Sequence, residues 1–171
     1  CVRPGLAKCT FGTGGMLDLV TGSTGPSVAG RTQHGSFPIV AWSQDQSITW
    51  GLEAIMLTAG SCVDWLVDDL GLLGSPEESA AMASAVSSTD DVFFVPAMIG
   101  LGTPHWDYGA RGTLIGVTRG TTKSHVVRAV LEGVAHRGAD LLDAAEADSG
   151  ISVSSMRIDG GMSANPVFVQ A

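Results

Sequence analysis

The chain has 171 residues, of which 44% are hydrophobic and 15% are charged, a composition typical of one ordered globular domain with a sizeable core. Its net charge of −8 argues against nucleic acid or an anionic membrane surface as a partner. A nucleotide remains compatible with this charge, because backbone amides and helix termini can hold phosphate without net positive charge.

The sequence contains no membrane or secretion signal and no cysteine motif. No apolar stretch reaches the roughly 18 residues of a membrane helix. Cys1, Cys9 and Cys62 lack C-x-x-C spacing, so we expect buried, reduced thiols and no metal or redox site. These features predict a cytoplasmic protein without membrane partners. Both ends interrupt predicted elements, so we expect a fragment of a longer protein, and a homo-oligomer is one open outcome.

Two short strands are predicted within residues 7–22, on either side of a glycine-rich turn. The turn contains Gly12, Thr13, Gly14 and Gly15, whose amides and hydroxyl can face an anion. Taken alone, however, these residues favour an ordinary hairpin turn. The turn by itself therefore does not establish a phosphate-binding site.

A second antiparallel pair is predicted at residues 35–42 and 47–53, and a helix follows it. Ser61 and Asp64 have the spacing of a capping box, so we expect the helix to begin there. A helix start preceded by glycine, here Gly60, can receive a phosphate or a ribose.

The middle of the chain predicts one more helix, one strand and a long loop. Residues 75–78, SPEE, indicate a helix start with a capping box, and the alanine-rich helix over residues 79–86 should be peripheral. The apolar run at residues 92–95, closed by proline, predicts a buried strand. The loop at residues 97–112 lacks a nucleophile at useful spacing, so we expect it to serve architecture although it contains His105, Asp107 and Arg111.

A short strand at residues 114–117 and then a long amphipathic helix from about Ser124 are predicted next. Its apolar face comprises Val127, Leu131, Val134, Leu141, Leu142 and Ala145. Its polar side comprises Arg128, Glu132, His136 and Arg137. The helix also holds His125, but this histidine and His136 have no third ligand nearby, so no metal site is predicted.

The last predicted elements are a strand at residues 153–159, the pair Gly160-Gly161 and a helix beginning near Ser163 or Asn165. Strand, double glycine and helix form a generic nucleotide-binding arrangement, because glycine lets a flat ligand touch the backbone. The motif IDGG alone is weak evidence for such a site.

Four motifs together resemble one family. GTLIGV at residues 112–117 and HVVRAVLE at residues 125–132 resemble the second signature of the FGGY carbohydrate kinases. Within that family, GLGTPHWD at residues 100–107 and RIDGGMSAN at residues 157–165 resemble the glycerol kinases most closely. Because the pattern fixes residue types at about a dozen spaced positions, a chance match is far rarer than for one glycine motif.

The resemblance implies an α/β fold of the actin-like ATPase (ribonuclease H-like) type, with a mixed sheet, flanking helices and ATP bound between two domains. Residues 1–171 would be a single, truncated domain: most of the C-terminal, nucleotide-binding domain, without the first domain and without its own first strand. The implied activity of the full-length protein is phosphoryl transfer from ATP, with Mg²⁺, to a small polyol. Glycerol, giving glycerol 3-phosphate, is the first candidate, and another sugar or sugar alcohol is the alternative.

Site residues are likewise implied by the resemblance. The nucleotide-binding positions are Gly12, Thr13, Gly14, Gly60, Asp64, Gly160, Gly161 and Asn165. Position 64 usually holds glutamine in the family, and Met16 stands where glycerol kinases carry an aromatic residue against the polyol. The catalytic aspartate is expected upstream of residue 1, so no residue of this chain inherits that role and the chain alone should be inactive.

Two other function classes fit less well. A non-catalytic ATP-binding module, such as actin or a chaperone domain, shares the implied fold but lacks the second signature and GLGTPHWD. A dinucleotide-dependent oxidoreductase needs a G-x-G-x-x-G after an early strand, and the chain has none. The sequence therefore predicts the nucleotide-binding half of a kinase, with no nucleic-acid partner.

Overall fold

The computed structural model describes all residues from Cys1 to Ala171, and a five-stranded mixed sheet lies at its centre. The strands are β1 (Ala7–Phe11), β2 (Gly15–Gly22), β3 (Phe37–Gln44), β4 (Ser47–Met56), β5 (Phe93–Val95), β6 (Thr113–Ile115) and β7 (Met156–Asp159). The central sheet has the order β3-β4-β2-β1-β7, in which only β1 and β7 pair in parallel. Strands β5 and β6 form a separate antiparallel ribbon.

Four helices flank the sheet, which confirms the predicted mixed α/β architecture. They are α1 (Gly60–Asp68), α2 (Glu78–Ser84), α3 (Lys123–Ser149) and α4 (Pro166–Gln170), and a 3₁₀ turn, Gly161–Ala164, precedes α4. Helix α3 packs on β2, β4, β5 and the other three helices. None of the four combines the length and the apolar character that a membrane-spanning helix needs.

The two faces of the central sheet differ because side chains alternate along each strand. One face forms the core together with the apolar side of α3 and includes Cys9, Phe11, Leu17, Leu19 and Ala54. The opposite face, which we call the open face, carries half-buried or exposed side chains, among them Lys8, Thr10, Met16, Asp18, Glu53 and Ile55. The alternation thus leaves one side of the sheet polar and accessible.

The cysteines lie as the sequence predicts in two of three cases. Cys9 and Cys62 are buried free thiols, whereas Cys1 is half-buried. Burial raises the pKa of Cys9 to about 12 and that of Cys62 to about 11. Both thiols therefore stay protonated at neutral pH and are poor nucleophiles.

The predicted capping box at the start of α1 is wrong. The residue that caps this helix is Ala59, and neither Ser61 nor Asp64 makes a side-chain cap. The first amides of α1 instead donate to carbonyls of the turn between β1 and β2. Because those donors are already satisfied, the helix needs no side-chain cap.

Helix α2 is not the peripheral element that its alanine content predicts. It contacts both α3 and α4, and Ser79 and Ala83 are buried. Its helical residues, Glu78–Ser84, begin one residue before and end two residues before the predicted range 79–86, and the carboxylate of Glu78 accepts a hydrogen bond from the amide of Gly74 at 2.9 Å.

Strand β5 and Arg137 contradict two further predictions. The strand was expected to be buried, but Phe93 and Val95 are exposed because the two-stranded ribbon has only one covered face, which includes Phe94. Arg137 was expected on the polar side of α3, but it is only 7% exposed. Its guanidinium finds partners inside the protein, the carbonyl of Thr103 and a neighbouring carboxylate, and this makes burial tolerable.

Candidate functional site

A cavity of about 410 Å³ opens at the edge of the sheet where β1, β4 and β7 end. These three strands run in the same direction, so the segments that follow them meet at one edge. In open α/β sheets ligands bind outside the carboxyl ends of the strands. The lining comes from residues 11–13 after β1, 60–64 of α1, 76–80 around the start of α2, 161–165 after β7, and Leu131 of α3.

The structure brings six of the eight predicted nucleotide-binding residues together in this lining. They are Gly12, Thr13, Gly60, Asp64, Gly161 and Asn165. Gly14 and Gly160 lie just outside the lining. Met16 also lies outside it, 46% exposed on the open face, where Thr10 and Ile55 are its neighbours on the adjacent strands. Contact of any of these residues with a nucleotide or a polyol stays a prediction.

The turn after β1 is fastened to the start of α1. The amide of Gly60 donates to the carbonyl of Gly12 at 2.8 Å, and the amides of Ala59 and Ser61 donate to the carbonyl of Thr13 at 2.8 and 3.3 Å. The Ser61 hydroxyl adds a bond to the same Thr13 carbonyl at 3.0 Å. The first amides of α1, which the sequence offered as able to receive a phosphate or a ribose, are thus already hydrogen-bonded to the turn. The exposed side chain of Thr13 is left to face a ligand.

Three of the predicted site glycines are required by the fold itself. A Cβ at Gly14 would lie 2.8 Å from the carbonyl oxygen of Met56, and one at Gly60 would lie 2.6 Å from that of Gly12. Gly160 has a φ of +89°, and a Cβ there would overlap the backbone of Phe11. These glycines let three chain segments approach one another, and their presence needs no ligand to explain it.

Gly12 and Gly161 differ from the other three. A Cβ at Gly12 would have no neighbour closer than 4.0 Å, and one at Gly161 would have none within 4 Å. Neither has a φ in the left-handed region. Both line the cavity, and the space at each Cβ position is free of protein atoms. The fold does not require glycine there, whereas a ligand lying against the backbone would.

Asn165 joins two walls of the cavity. Its side-chain oxygen caps α4 by accepting from the amides of Val167 (3.0 Å) and Phe168 (3.3 Å), while its side-chain nitrogen donates to the hydroxyl of Ser79 in α2 (3.0 Å). Most of the hydrogen-bonding capacity of this side chain is thus spent inside the protein. The α2 wall was missed in the sequence, because an alanine-rich helix start looks the same whether it borders a cavity or solvent.

The cavity is acidic. Its lining contains Asp64 and Glu77 but no lysine, arginine or histidine. A hydrogen bond from the Ser75 hydroxyl, with a backbone hydrogen bond, lowers the pKa of Glu77. Carboxylates accept hydrogen bonds from hydroxyl and amino groups, so the lining suits the uncharged part of a ligand better than its phosphates. No group of three or more His, Cys, Asp or Glu residues is arranged to hold a metal ion, so the chain offers no metal site built from its own side chains alone.

Known proteins are similar to this chain in sequence and fold. The sequence profile of the C-terminal domain of the FGGY family of carbohydrate kinases matches residues 7–171. Glycerol kinase from Halalkalibacterium halodurans is 44% identical over 170 residues, and that from Synechocystis sp. is 45% identical over 175 residues. Each match covers 99% of this chain but only 33% and 34%, respectively, of the relative, so the chain spans about a third of the curated relatives' length.

A solved structure agrees with these relatives. The crystal structure of Plasmodium falciparum glycerol kinase with ADP matches 98% of this chain, and 33% of its own, with a TM-score of 0.87 and 35% identity. The mixed sheet with its flanking helices is therefore that of the actin-like ATPases, as the four sequence motifs implied. Through the domain that residues 7–171 match, the chain belongs to the FGGY family of carbohydrate kinases.

Proposed function

We propose that this chain is the nucleotide-binding part of a longer kinase, which transfers a phosphoryl group from ATP to a hydroxyl of a small polyol. Glycerol, giving glycerol 3-phosphate, is the first candidate, because relatives 44–45% identical are glycerol kinases. The observation that carries the proposal is the pair Gly12 and Gly161, two cavity-lining glycines that packing does not require. The Plasmodium falciparum relative, whose structure was solved with ADP, supports a nucleotide as the ligand.

On the donor side, the nucleoside lies in the acidic cavity and the phosphates extend past its edge. The base lies flat on Gly161, where no Cβ keeps it from the backbone. Hydroxyl and amino groups meet Asp64 and Glu77, which accept hydrogen bonds but repel phosphate. The phosphates therefore run towards Gly12 and the exposed Thr13, whose hydroxyl donates a hydrogen bond to the transferring end.

On the acceptor side, the alcohol lies over the open face beside Met16. This residue follows Thr13 by three positions and stands next to Thr10 and Ile55, so the two substrates meet where the turn joins the sheet. A thioether side chain covers carbon atoms without fixing a shape, and it adapts to small polyols other than glycerol. Another sugar or sugar alcohol is therefore the alternative acceptor.

Phosphoryl transfer depends on positioning the substrates and on stabilising the charge of the transferring group. This chain contributes a rigid cavity for the nucleoside, a turn for the phosphates and one wall of the acceptor site. Mg²⁺, when bound, neutralises phosphate charge, and its protein ligands lie outside this chain. The aspartate that takes the hydroxyl proton belongs upstream of residue 1.

The test is an assay of ADP release by the full-length protein with MgATP and, in turn, glycerol, longer sugar alcohols, a ketopentose and no acceptor. We expect release that depends on an alcohol and is fastest with glycerol. Release at the same rate with and without every acceptor would instead indicate an ATP-binding module of the same fold that does not phosphorylate alcohols. If release were fastest with another acceptor, the proposed phosphoryl transfer would stand and that acceptor would take the place of glycerol as the substrate.

A further inference from the structure

Helix α3 carries two charged side chains that are almost wholly buried. The side chains of Arg137 and Asp148 are 9% and 2% exposed, and they are eleven residues apart on one helix. Burying a charge is costly unless hydrogen bonds replace the lost water. Both side chains have such bonds: Arg137 bonds Asp140 on the same helix and the loop at residues 97–112, and Asp148 bonds residues 32–36.

Arg137 holds the loop at residues 97–112 against strand β4. Its guanidinium donates to the carbonyl of Thr103 and to the carboxylate of Asp140. Thr103 is fully buried; its amide donates to the carbonyl of Ile55 at 2.8 Å, and its hydroxyl accepts from the amide of Ile55 at 3.1 Å. Ile55 is the cross-strand neighbour of Met16. A chain of bonds thus runs from α3 to the proposed acceptor wall.

Asp148 holds a second segment, residues 31–36, which we call the strap. Its carboxylate accepts hydrogen bonds from the hydroxyl of Thr32 (2.5 Å), the amide of His34 (2.9 Å), and the hydroxyl and amide of Ser36 (2.6 and 3.3 Å). The Nδ1 atom of His34 lies 3.1 Å from the same carboxylate. One buried carboxylate therefore organises the whole strap.

The strap in turn holds the loop. The carbonyl of Gly35 accepts from the hydroxyl of Thr103 at 3.1 Å and from the indole nitrogen of Trp106 at 2.7 Å. The guanidinium of Arg31 lies 3.9 Å over the Trp106 ring. The two buried charges of α3 consequently converge on Thr103, Arg137 directly and Asp148 through the strap.

Two features indicate that the loop at residues 97–112 is held in place for a purpose other than packing the core. Trp106 has a φ of 51°, a strained value for a bulky residue, of the kind that clusters at functional sites. The same loop leaves the large apolar side chains of Ile99 and Tyr108 exposed. A loop that is held strongly, strained and only partly packed is shaped to face something outside the core.

We propose that Arg137 and Asp148 are positioning residues for the acceptor alcohol, acting through Thr103 on the Ile55–Met16 pair. The proposal rests on the proposed kinase function, because it takes Met16 as part of the acceptor wall. Neither side chain touches the substrate; both keep the wall in register with the turn that carries Thr13. The nucleotide cavity has separate anchors, so the effect is selective for the alcohol.

The test compares Arg137→Met with Arg128→Met in the full-length protein. Arg128 lies on the same helix and also bonds a carboxylate, Glu132, and a carbonyl, that of Val86, but it does not reach the loop. We expect Arg137→Met to raise KM for the alcohol about tenfold and to leave KM for ATP within about twofold. Arg128→Met should lower thermal stability by a comparable amount and change neither KM.

Thr103→Val and amide hydrogen exchange complete the test. If Arg137→Met does not fold, Thr103→Val should give the same selective rise in KM, because it keeps the shape and the backbone bond to the Ile55 carbonyl but removes the hydroxyl's bonds to the Gly35 carbonyl and the Ile55 amide. Hydrogen exchange in either variant should quicken at the amides of Thr103 and Ile55 but not at that of Gly60. This readout needs no activity, so it tests the coupling even if the parent protein phosphorylates no alcohol.

Two outcomes would overturn the proposal. The first is an alcohol KM that stays at the parental value, or rises together with that for ATP, in a folded Arg137 or Thr103 variant. The second is unchanged exchange at Ile55. Absence of alcohol-dependent ADP release by the parent would instead refute the kinase function, a result that no variant is needed to see.

Discussion

The amide of Gly60 and the carbonyl of Gly12 form a 2.8 Å hydrogen bond that sets the distance between two walls of the cavity. Glycine at position 60 makes this approach possible, since a Cβ would lie 2.6 Å from that carbonyl oxygen. The turn after β1 and the first residue of α1 therefore behave as one unit. A ligand that contacts the turn also depends on where α1 begins.

Gly60→Ala should therefore destabilise the fold. Forcing a methyl group into this contact should lower the free energy of unfolding by about 1–3 kcal/mol. Urea unfolding measures the loss. Gly30→Ala is the control, because Gly30 has no atom within 4 Å of its Cβ position and no left-handed φ, and it should change stability little. Equal stability of the two variants would show that the turn and α1 adjust freely.

Gly161→Val tests the adenosine side of the cavity. The added side chain meets no protein atom close to its Cβ, so the fold should survive while the cavity loses space. We expect ATP affinity to fall about tenfold, equivalent to about 1.4 kcal/mol. Calorimetric titration of the full-length protein gives the affinity.

The adjacent glycine supplies the contrast for that experiment. Gly160→Val should impair folding rather than binding, because Gly160 has a φ of +89° and its Cβ would overlap the backbone of Phe11. Undiminished ATP affinity in a folded Gly161→Val protein would remove Gly161 from the nucleotide site.

Thr13→Ala should affect turnover more than nucleotide binding. The Thr13 carbonyl, which holds α1, is kept in this variant, and the change removes the exposed hydroxyl together with the γ-methyl group. A contact to the transferring phosphoryl group strengthens as charge develops, so its loss should reduce kcat about tenfold or more while the ATP dissociation constant changes little. Thr13→Ser should restore most of the turnover. Parental kcat in Thr13→Ala would mean that the turn is only a hairpin.

The long elements were predictable from local pattern, whereas their exceptions depend on tertiary partners. Helix α3 follows from the three- and four-residue spacing of residues such as Val127, Leu131 and Val134, all of which are fully buried. Arg137 breaks the pattern because its partner, Thr103, lies 34 residues away in the sequence. The predicted capping box at Ser61 failed for the same reason, a partner that is distant in the sequence. Carbonyls of the turn after β1, and not a side chain, accept the hydrogen bonds of the first amides of α1.

The location of the candidate site was predictable from the sequence, but the different roles of its glycines were not. The predicted site glycines lie in three regions: residues 12–14, residue 60 and residues 160–161. The sequence alone does not distinguish the glycines that packing requires from those that a ligand would require. Only the packing separates Gly12 and Gly161, which leave space for a ligand, from Gly14 and Gly160, which leave space for the backbone. That distinction depends on which chain segment passes nearby, and no local pattern encodes it.

Asp148 should make stability depend on pH in the acid range. Burial alone would raise the pKa of this carboxyl, but hydrogen bonds from Ser36, Thr32 and the His34 backbone outweigh it and lower the pKa from 3.8 to about 2. Because the folded state favours the ionised form, the resulting stability is fully present above about pH 4 and is lost as the pH falls towards 2.

The magnitude follows from the size of this shift. The free energy of unfolding of the parent should exceed that of Asp148→Asn by an amount that shrinks by about 2 kcal/mol between pH 5 and pH 2. Urea unfolding at several pH values measures the difference. Asp143→Asn, at an exposed position of the same helix, should show no comparable change. A constant difference for Asp148→Asn across that range would contradict the role of the strap's hydrogen bonds.

The 171-residue chain should not catalyse phosphoryl transfer on its own. Its cavity lining has no cationic residue, and the chain has no cluster that could hold a metal ion. Its carboxylates are also poorly placed: Asp18 pairs with Lys8 on the open face, and Asp64 lies in the nucleoside cavity. Phosphoryl transfer further requires both substrates to be enclosed and aligned, and in the proposed function the other half of the cleft lies outside this chain. Incubation with MgATP and glycerol, beside the full-length protein, should give no glycerol-dependent ADP release. Release near the full-length rate would place the catalytic carboxylate within these 171 residues.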